Sequence, residues 1–276
     1  MTIESSHDPK AFQDFEHEGW ETISAGYEHH FARLTRQAVP ATLDAVGITQ
    51  GMRLLDVCTG PAMLAGAATQ RGADVVGLDF SGEVIEIANR NVPQAEFRQG
   101  DAQDLPFDDA SFDAVVCGYG VIHVPEPEKA LLEMYRVLRP GGRFATSVWE
   151  APKPTNGFGL LFGSIKNHGN LDVPLPHGPD FFQFSDHEKM ASALQNTGFN
   201  EVTVQTIEQV WELKEPLGIV TAVLEGAVRA RGLLLAQTES ARRAISKAIE
   251  EGMEQFRSSE GGYRVPMPAL LGVGTK

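Results

Sequence analysis

Short apolar runs alternate with longer amphipathic stretches through the first half of the chain. The short runs read Arg53-Leu54-Leu55-Asp56-Val57-Cys58, Ala73-Asp74-Val75-Val76-Gly77-Leu78-Asp79 and Ala95-Glu96-Phe97-Arg98-Gln99-Gly100-Asp101. The stretches between them are long enough for helices. Strand, helix, strand, helix, strand predicts an α/β fold with a parallel sheet, because parallel neighbours need a crossover connection. Ligands of open α/β sheets bind outside the carboxyl ends of the strands. Asp56, Asp79 and Asp101 stand at those ends, so they are expected to line one crevice.

The remaining pattern extends this core in both directions. Phe12, Phe15, Trp20, Ile23, Tyr27, Phe31, Leu34 and Ala38 recur at three- and four-residue spacing, which predicts helix over residues 11–47, punctuated by Pro40 and Gly47. A helix is expected from near Pro61, with Met63, Leu64, Ala67 and Ala68 inward, and another over residues 81–91. A strand over 112–117 follows, then a helix over 127–138 stopped by Pro140-Gly141-Gly142, then a strand over 143–149. Residues 151–184, rich in Pro, Gly, Phe and His, read as an inserted loop or short helices. A helix over 186–196, a strand over 201–212, helices over 216–235 and 238–257 and a last strand over 269–273 complete the expectation. This divides the chain into an N-terminal helical lid (1–47), a core (48–150) and a third stretch (151–276) with the insertion, the last strands and a helical cap (216–257).

Charge and cysteine content narrow the partners. The formal net charge of −14, without a basic run, is expected to repel nucleic acid phosphates and anionic lipid. The Met1–Lys10 opening is polar, and no run approaches the roughly 20 apolar residues of a membrane span. Cys58 and Cys117 are the only cysteines and show no metal-ligand spacing, so neither a metal module nor a disulfide framework is expected. These features predict a cytoplasmic enzyme acting on a small molecule, and they leave a homo-oligomer open.

Asp79 lies 23 residues after Asp56, a suitable place to hold the two hydroxyls of an adenosine ribose. The turn after the first strand decides between nucleotide classes. A dinucleotide pyrophosphate needs G-x-G-x-x-G, whereas Cys58-Thr59-Gly60-Pro61-Ala62-Met63 holds one glycine. The arrangement instead resembles the class I S-adenosylmethionine-dependent methyltransferases, and within them the type 11 small-molecule group that includes quinone-biosynthesis methyltransferases. The resemblance is carried by Leu55-Asp56-Val57-Cys58-Thr59-Gly60-Pro61-Ala62, Val76-Gly77-Leu78-Asp79-Phe80-Ser81 and Gly100-Asp101-Ala102. Leu105-Pro106-Phe107, Ser111-Phe112-Asp113 and Arg136-Val137-Leu138-Arg139-Pro140-Gly141-Gly142 continue it, so that it covers about residues 52–149.

The resemblance implies a Rossmann-like methyltransferase fold, with a mostly parallel seven-stranded sheet, helices on both faces and an antiparallel last strand. It implies S-adenosylmethionine as cofactor and S-adenosylhomocysteine as product. Asp56 and the backbone at Gly60 would floor the methionyl part, Asp79 would take the ribose hydroxyls, Asp101 the adenine amino group and the Ala102 amide the ring edge. Cys58, Thr59, Phe80 and Gly118 join the cofactor site by the same match. Asp56 also reads as a structural residue holding its loop. The family usually places glycine where Cys58 and Ala62 stand; an alanine in the first helical turn is tolerated if its φ stays negative.

An acceptor that must lose a proton needs a base. His123, past the fourth strand, is the best candidate, with Tyr27 a second catalytic candidate on the N-terminal lid. His29 and His30 are adjacent on that helix, so at most one faces inward. His168, His177, Phe158, Phe162, Phe181, Phe182 and Phe184 form either a hydrophobic acceptor pocket or, for most of the rings, a core sealing the sheet edge. The function this favours is methylation of oxygen, nitrogen or carbon on a small, fairly hydrophobic molecule. A protein that binds the cofactor without methyl transfer, and a nicotinamide-dependent oxidoreductase, remain as alternatives.

Overall fold

The computed structural model describes residues 8–276; most of the polar opening segment lies outside them. The chain enters through α1 (Pro9–His30), whose start is set by Asp8, the side chain of which accepts from the Lys10 and Ala11 amides, and by Pro9 in the first turn. Two shorter helices, α2 (Ala32–Thr35) and α3 (Val39–Ala45), lead to the sheet. There β1 (Arg53–Val57), α4 (Met63–Gln70), β2 (Asp74–Asp79), α5 (Gly82–Asn91), β3 (Glu96–Gln99), β4 (Phe112–Gly118), α6 (Pro127–Val137) and β5 (Leu138–Trp149) follow in the predicted alternation. Leu54 and Leu55 are both fully buried, in core clusters on opposite faces of the sheet. A strand covered on both faces reads as a continuous apolar run, which is why these runs do not alternate.

The second half holds α7 (Gly157–His168), α8 (His187–Thr197), β6 (Asn200–Ile207), β7 (Val210–Leu213), α9 (Gly218–Gly226), α10 (Val228–Leu235), α11 (Glu239–Met253), β8 (Tyr263–Pro266) and β9 (Ala269–Thr275). Seven strands form one sheet in the order β3-β2-β1-β4-β5-β9-β6. The pairs from β3 to β5 are parallel, and β9 runs antiparallel to both β5 and β6. The expected Rossmann-like sheet with an antiparallel last strand is therefore present.

Several expectations change in detail, among them the helix expected over 11–47, which breaks into α1, α2 and α3, and the strand expected from 143, which begins at Leu138. The strand expected over 201–212 splits at Glu208–Gln209 into β6, in the main sheet, and β7, which pairs with β8 in a separate ribbon. The reason is a buried polar anchor: the Gln209 amide donates to the Leu34 carbonyl and its oxygen accepts from the Tyr119 hydroxyl, while Gln37 brackets the Val210 backbone. The helix expected over 216–235 breaks at Ala227, which is extended at φ −140° and separates α9 from α10. The insertion over 151–184 takes the helical alternative in part, with a twelve-residue helix, α7, started by Asn156, whose side chain accepts from the Gly159 amide. Among the described residues no helix is long and apolar enough to cross a membrane.

Candidate active site

The turn leaving β1 is built from left-handed backbone, strained at its two non-glycine positions. Cys58 sits at φ +55°, Gly60 at +54° and Ala62 at +64°. Ala62 thus takes the left-handed conformation rather than the negative φ expected of it, and α4 begins at Met63 instead of near Pro61. Residues other than glycine hold that conformation only where their surroundings enforce it. Here Asp56 enforces it: its Oδ2 accepts from the Thr59 hydroxyl at 2.8 Å and from the Ala65 amide at 3.1 Å, tying both ends of the turn to one carboxylate. Burial lifts the Asp56 carboxyl to about 7, against the lowering effect of those donors.

Asp79, at the end of β2, completes the floor. Its Oδ2 accepts from the Gly60 amide at 3.0 Å and its Oδ1 from the Ser81 amide at 3.2 Å. Burial raises this carboxyl to about 6 in spite of the amides. Each oxygen retains acceptor capacity, so two hydroxyl donors suit a carboxylate that the fold has taken out of water. The Cys58 thiol lies against that of Cys117, and this contact together with burial pushes its pKa well above the ordinary value. Gly120 is required by the same packing, since a Cβ there would stand 2.2 Å from the Cys58 Cβ. Gly120→Ala is expected to cost about 1–3 kcal/mol by overpacking, read as a lower Tm of the ligand-free protein.

Asp101, beyond β3, is held by the Gln103 amide at 2.9 Å and by the Gln103 side chain. Its Oδ2 also accepts from the Gln13 carboxamide of α1 at 2.9 Å. That primary amide from the lid offers the same kind of N–H donor as an adenine amino group, so the donor set fits an adenosyl ligand. A cavity of about 410 Å³ opens above these residues, and every position nominated from the sequence for cofactor or catalysis borders it, Phe80, Ala102, Gly118, Tyr27 and His123 included.

The lid side holds residues that periodicity alone did not single out. Glu16 is fully buried on α1. Its Oε2 accepts from the Trp20 indole at 3.1 Å and meets His123 Nδ1 at 3.0 Å. The Trp20 ring packs edge-on to His123 at 5.2 Å. The available signal was a carboxylate on the inward stripe of α1, between Phe12 and Ile23. Tyr27 stacks on Phe31 and borders the cavity, with burial raising its phenol above the usual range. His30 pairs with Glu225 of α9 at 2.6 Å and His29 faces outward; neither borders the cavity. Phe158, Phe162, Phe181 and Phe182 line the cavity along with His177, whereas Phe184 is core and His168 is exposed. The insertion's rings therefore serve the cavity more than expected. Tyr119, at φ +61° on the wall, and Arg229 of α10 also escaped the sequence reading.

The methyltransferase domain family matches residues 55–146. The demethylmenaquinone methyltransferase of Renibacterium salmoninarum is 39% identical over 132 residues, which is 48% of this chain and 53% of that protein. The protein of the same name from Staphylococcus carnosus is 30% identical over 216 residues, 71% of this chain and 90% of its own length. Against several such relatives, the chain spans about half their length. In fold it resembles the phosphoethanolamine N-methyltransferase 2 of Haemonchus contortus, solved with S-adenosyl-L-methionine. The TM-score is 0.57 at 17% identity, over 96% of this chain and 60% of that one.

Proposed function

The chain belongs to the class I S-adenosylmethionine-dependent methyltransferases, and we propose that it methylates a small, hydrophobic acceptor of the quinol or phenol type. The observation that carries the reading is one cavity with two unlike walls. Buried Asp79 and the neighbouring Asp101 stand at adjacent strand ends on one side, and four phenylalanines of the insertion stand on the other. The names of the relatives, demethylmenaquinone methyltransferases, support a quinone-type acceptor for this chain.

In this reading Asp79 accepts from the ribose hydroxyls, Asp101 from the adenine amino group, and the Asp56-held turn shapes the floor under the methionyl part. The bound cofactor supplies a methyl group on a sulfonium, open to in-line displacement. The protein's share of the chemistry is orientation and exclusion of water. The described part of the lid (8–47), the core (48–150) and the cap (216–257) divide that work: α1 lies over the aspartates while α9 and α10 close the acceptor side. His123 Nε2 takes the acceptor's proton, and Glu16, on Nδ1, holds the ring in the orientation that presents Nε2.

Turnover of S-adenosylmethionine to S-adenosylhomocysteine tests this, using reduced naphthoquinones, phenols, indoles and amines as acceptors. Product with the quinols or phenols is the expected result. Cofactor binding without turnover on any of them would leave a binding protein instead, and affinity for NAD in place of the sulfonium would point to an oxidoreductase.

A further inference from the structure

Arg229 is a cation set into the apolar side of the cavity. Its Nη2 donates to the Pro179 carbonyl at 2.8 Å. Its guanidinium lies 5.0 Å over the Phe12 ring and 5.5 Å over the Phe181 ring. Those three contacts, from α1 and the insertion, hold the group in place. Its Nη1 is buried and has no hydrogen-bond partner among the described residues. Burial lowers the pKa of the side chain, opposed by the charges of Glu16 and Asp180. Neither carboxylate makes a hydrogen bond to it: Glu16 is engaged through Oε2 with His123 and Trp20 while its Oε1 is likewise buried without a partner among the described residues, and Asp180 caps the Phe182 amide. A buried N–H without an acceptor is costly, and an arginine N–H is satisfied best by a negatively charged oxygen.

His123 stands on the same ring. Its imidazole is 5.6 Å from the Phe181 centroid, and the guanidinium is 5.5 Å from the same centroid. A base and an unsatisfied cation therefore flank one aromatic surface within the acceptor half of the cavity. We propose that Arg229 Nη1 binds an ionised oxygen on an aromatic acceptor, selecting ring hydroxyl compounds that enter the cavity and lose their proton there. The inference rests on the methyltransferase reading for the place of the acceptor. The step balances simply: the O–H bond of the ring hydroxyl breaks, its proton goes to His123 Nε2, and the electron pair stays on the oxygen facing Arg229. A ring carboxylate carries the same chemistry without that proton transfer, so the two sources must be separated by measurement.

The test uses the full chain with 2-naphthol, 2-methoxynaphthalene and 2-naphthoate as probes, followed by calorimetry and by the absorption band of 2-naphtholate. Wild-type protein is expected to bind 2-naphthol at least about tenfold more tightly than the methoxy compound, and to show the naphtholate band at a pH where free 2-naphthol is neutral. Arg229→Met should abolish both the band and the discrimination, and Arg229→Lys should recover part of each. Tighter binding of 2-naphthoate than of 2-naphthol, also lost in Arg229→Met, would support the anion site and assign it to a carboxylate. Equal wild-type affinity for all three probes, or a band that survives in Arg229→Met, overturns the proposal. S-adenosylhomocysteine is titrated separately into the same proteins. Its failure to bind wild-type protein would strike the methyltransferase reading, whereas normal binding beside indifferent probes would strike only the role of Arg229. The discrimination by wild-type protein alone stays decisive if Arg229→Met does not fold.

Discussion

Asp79→Ala is expected to weaken S-adenosylhomocysteine binding by at least about tenfold, because hydrogen bonds to a charged acceptor contribute about 1.5–3 kcal/mol each and the buried ribose hydroxyls would lose theirs. The fold should survive: the turn retains its second clamp, the bonds from Thr59 and Ala65 to Asp56. A pH series sharpens the assignment. The Asp79 carboxyl is raised to about 6 by burial. Two hydroxyl donors favour its ionised form, so ligand binding should release a proton, and affinity should fall as pH drops through about 6. In Asp79→Ala that acidic decline should be reduced. Calorimetry across pH 5–8 reads both effects. Wild-type affinity in the alanine variant would remove Asp79 from the ribose site.

His123→Ala should lower kcat by about 10²–10⁴-fold, the usual contribution of a positioned acid or base, with a much smaller effect on S-adenosylhomocysteine affinity. Glu16→Gln should reduce kcat by less, since a carboxamide oxygen can still accept from Trp20 while the charge beside Nδ1 is gone. The pair of variants distinguishes a base and its positioning residue from a structural contact. A merely structural Glu16 would lower Tm and leave the ratio of kcat to KM in the folded fraction unchanged. Full turnover in His123→Ala would end the assignment of the base and, with it, the need for Glu16 to hold the ring.

Much of the core was legible because its signals are local. The runs ending at Asp56 and Asp79 are strands buried on both faces, and their continuous apolar character is visible in a few consecutive residues. Gln209 shows where locality fails. The stretch over 201–212 alternates like one strand, yet a buried amide bonded to Tyr119 and Leu34 turns the chain off the main sheet. Ala62 shows a second failure. Its identity favours an ordinary helical start, and the clamp of the turn by Asp56 and Asp79 holds it left-handed.

The sequence by itself determined the α/β order, the aspartates at the strand ends and the family, since hydrophobic period and motif spacing are properties of neighbouring residues. The acceptor side was decided by the tertiary structure. Glu16 and His123 are 107 positions apart, and Arg229 gains its surroundings from α1 and the insertion together. Burial, and the unpaired donor it creates, exist only after distant segments close over the sheet, so no stretch of the chain carries them alone.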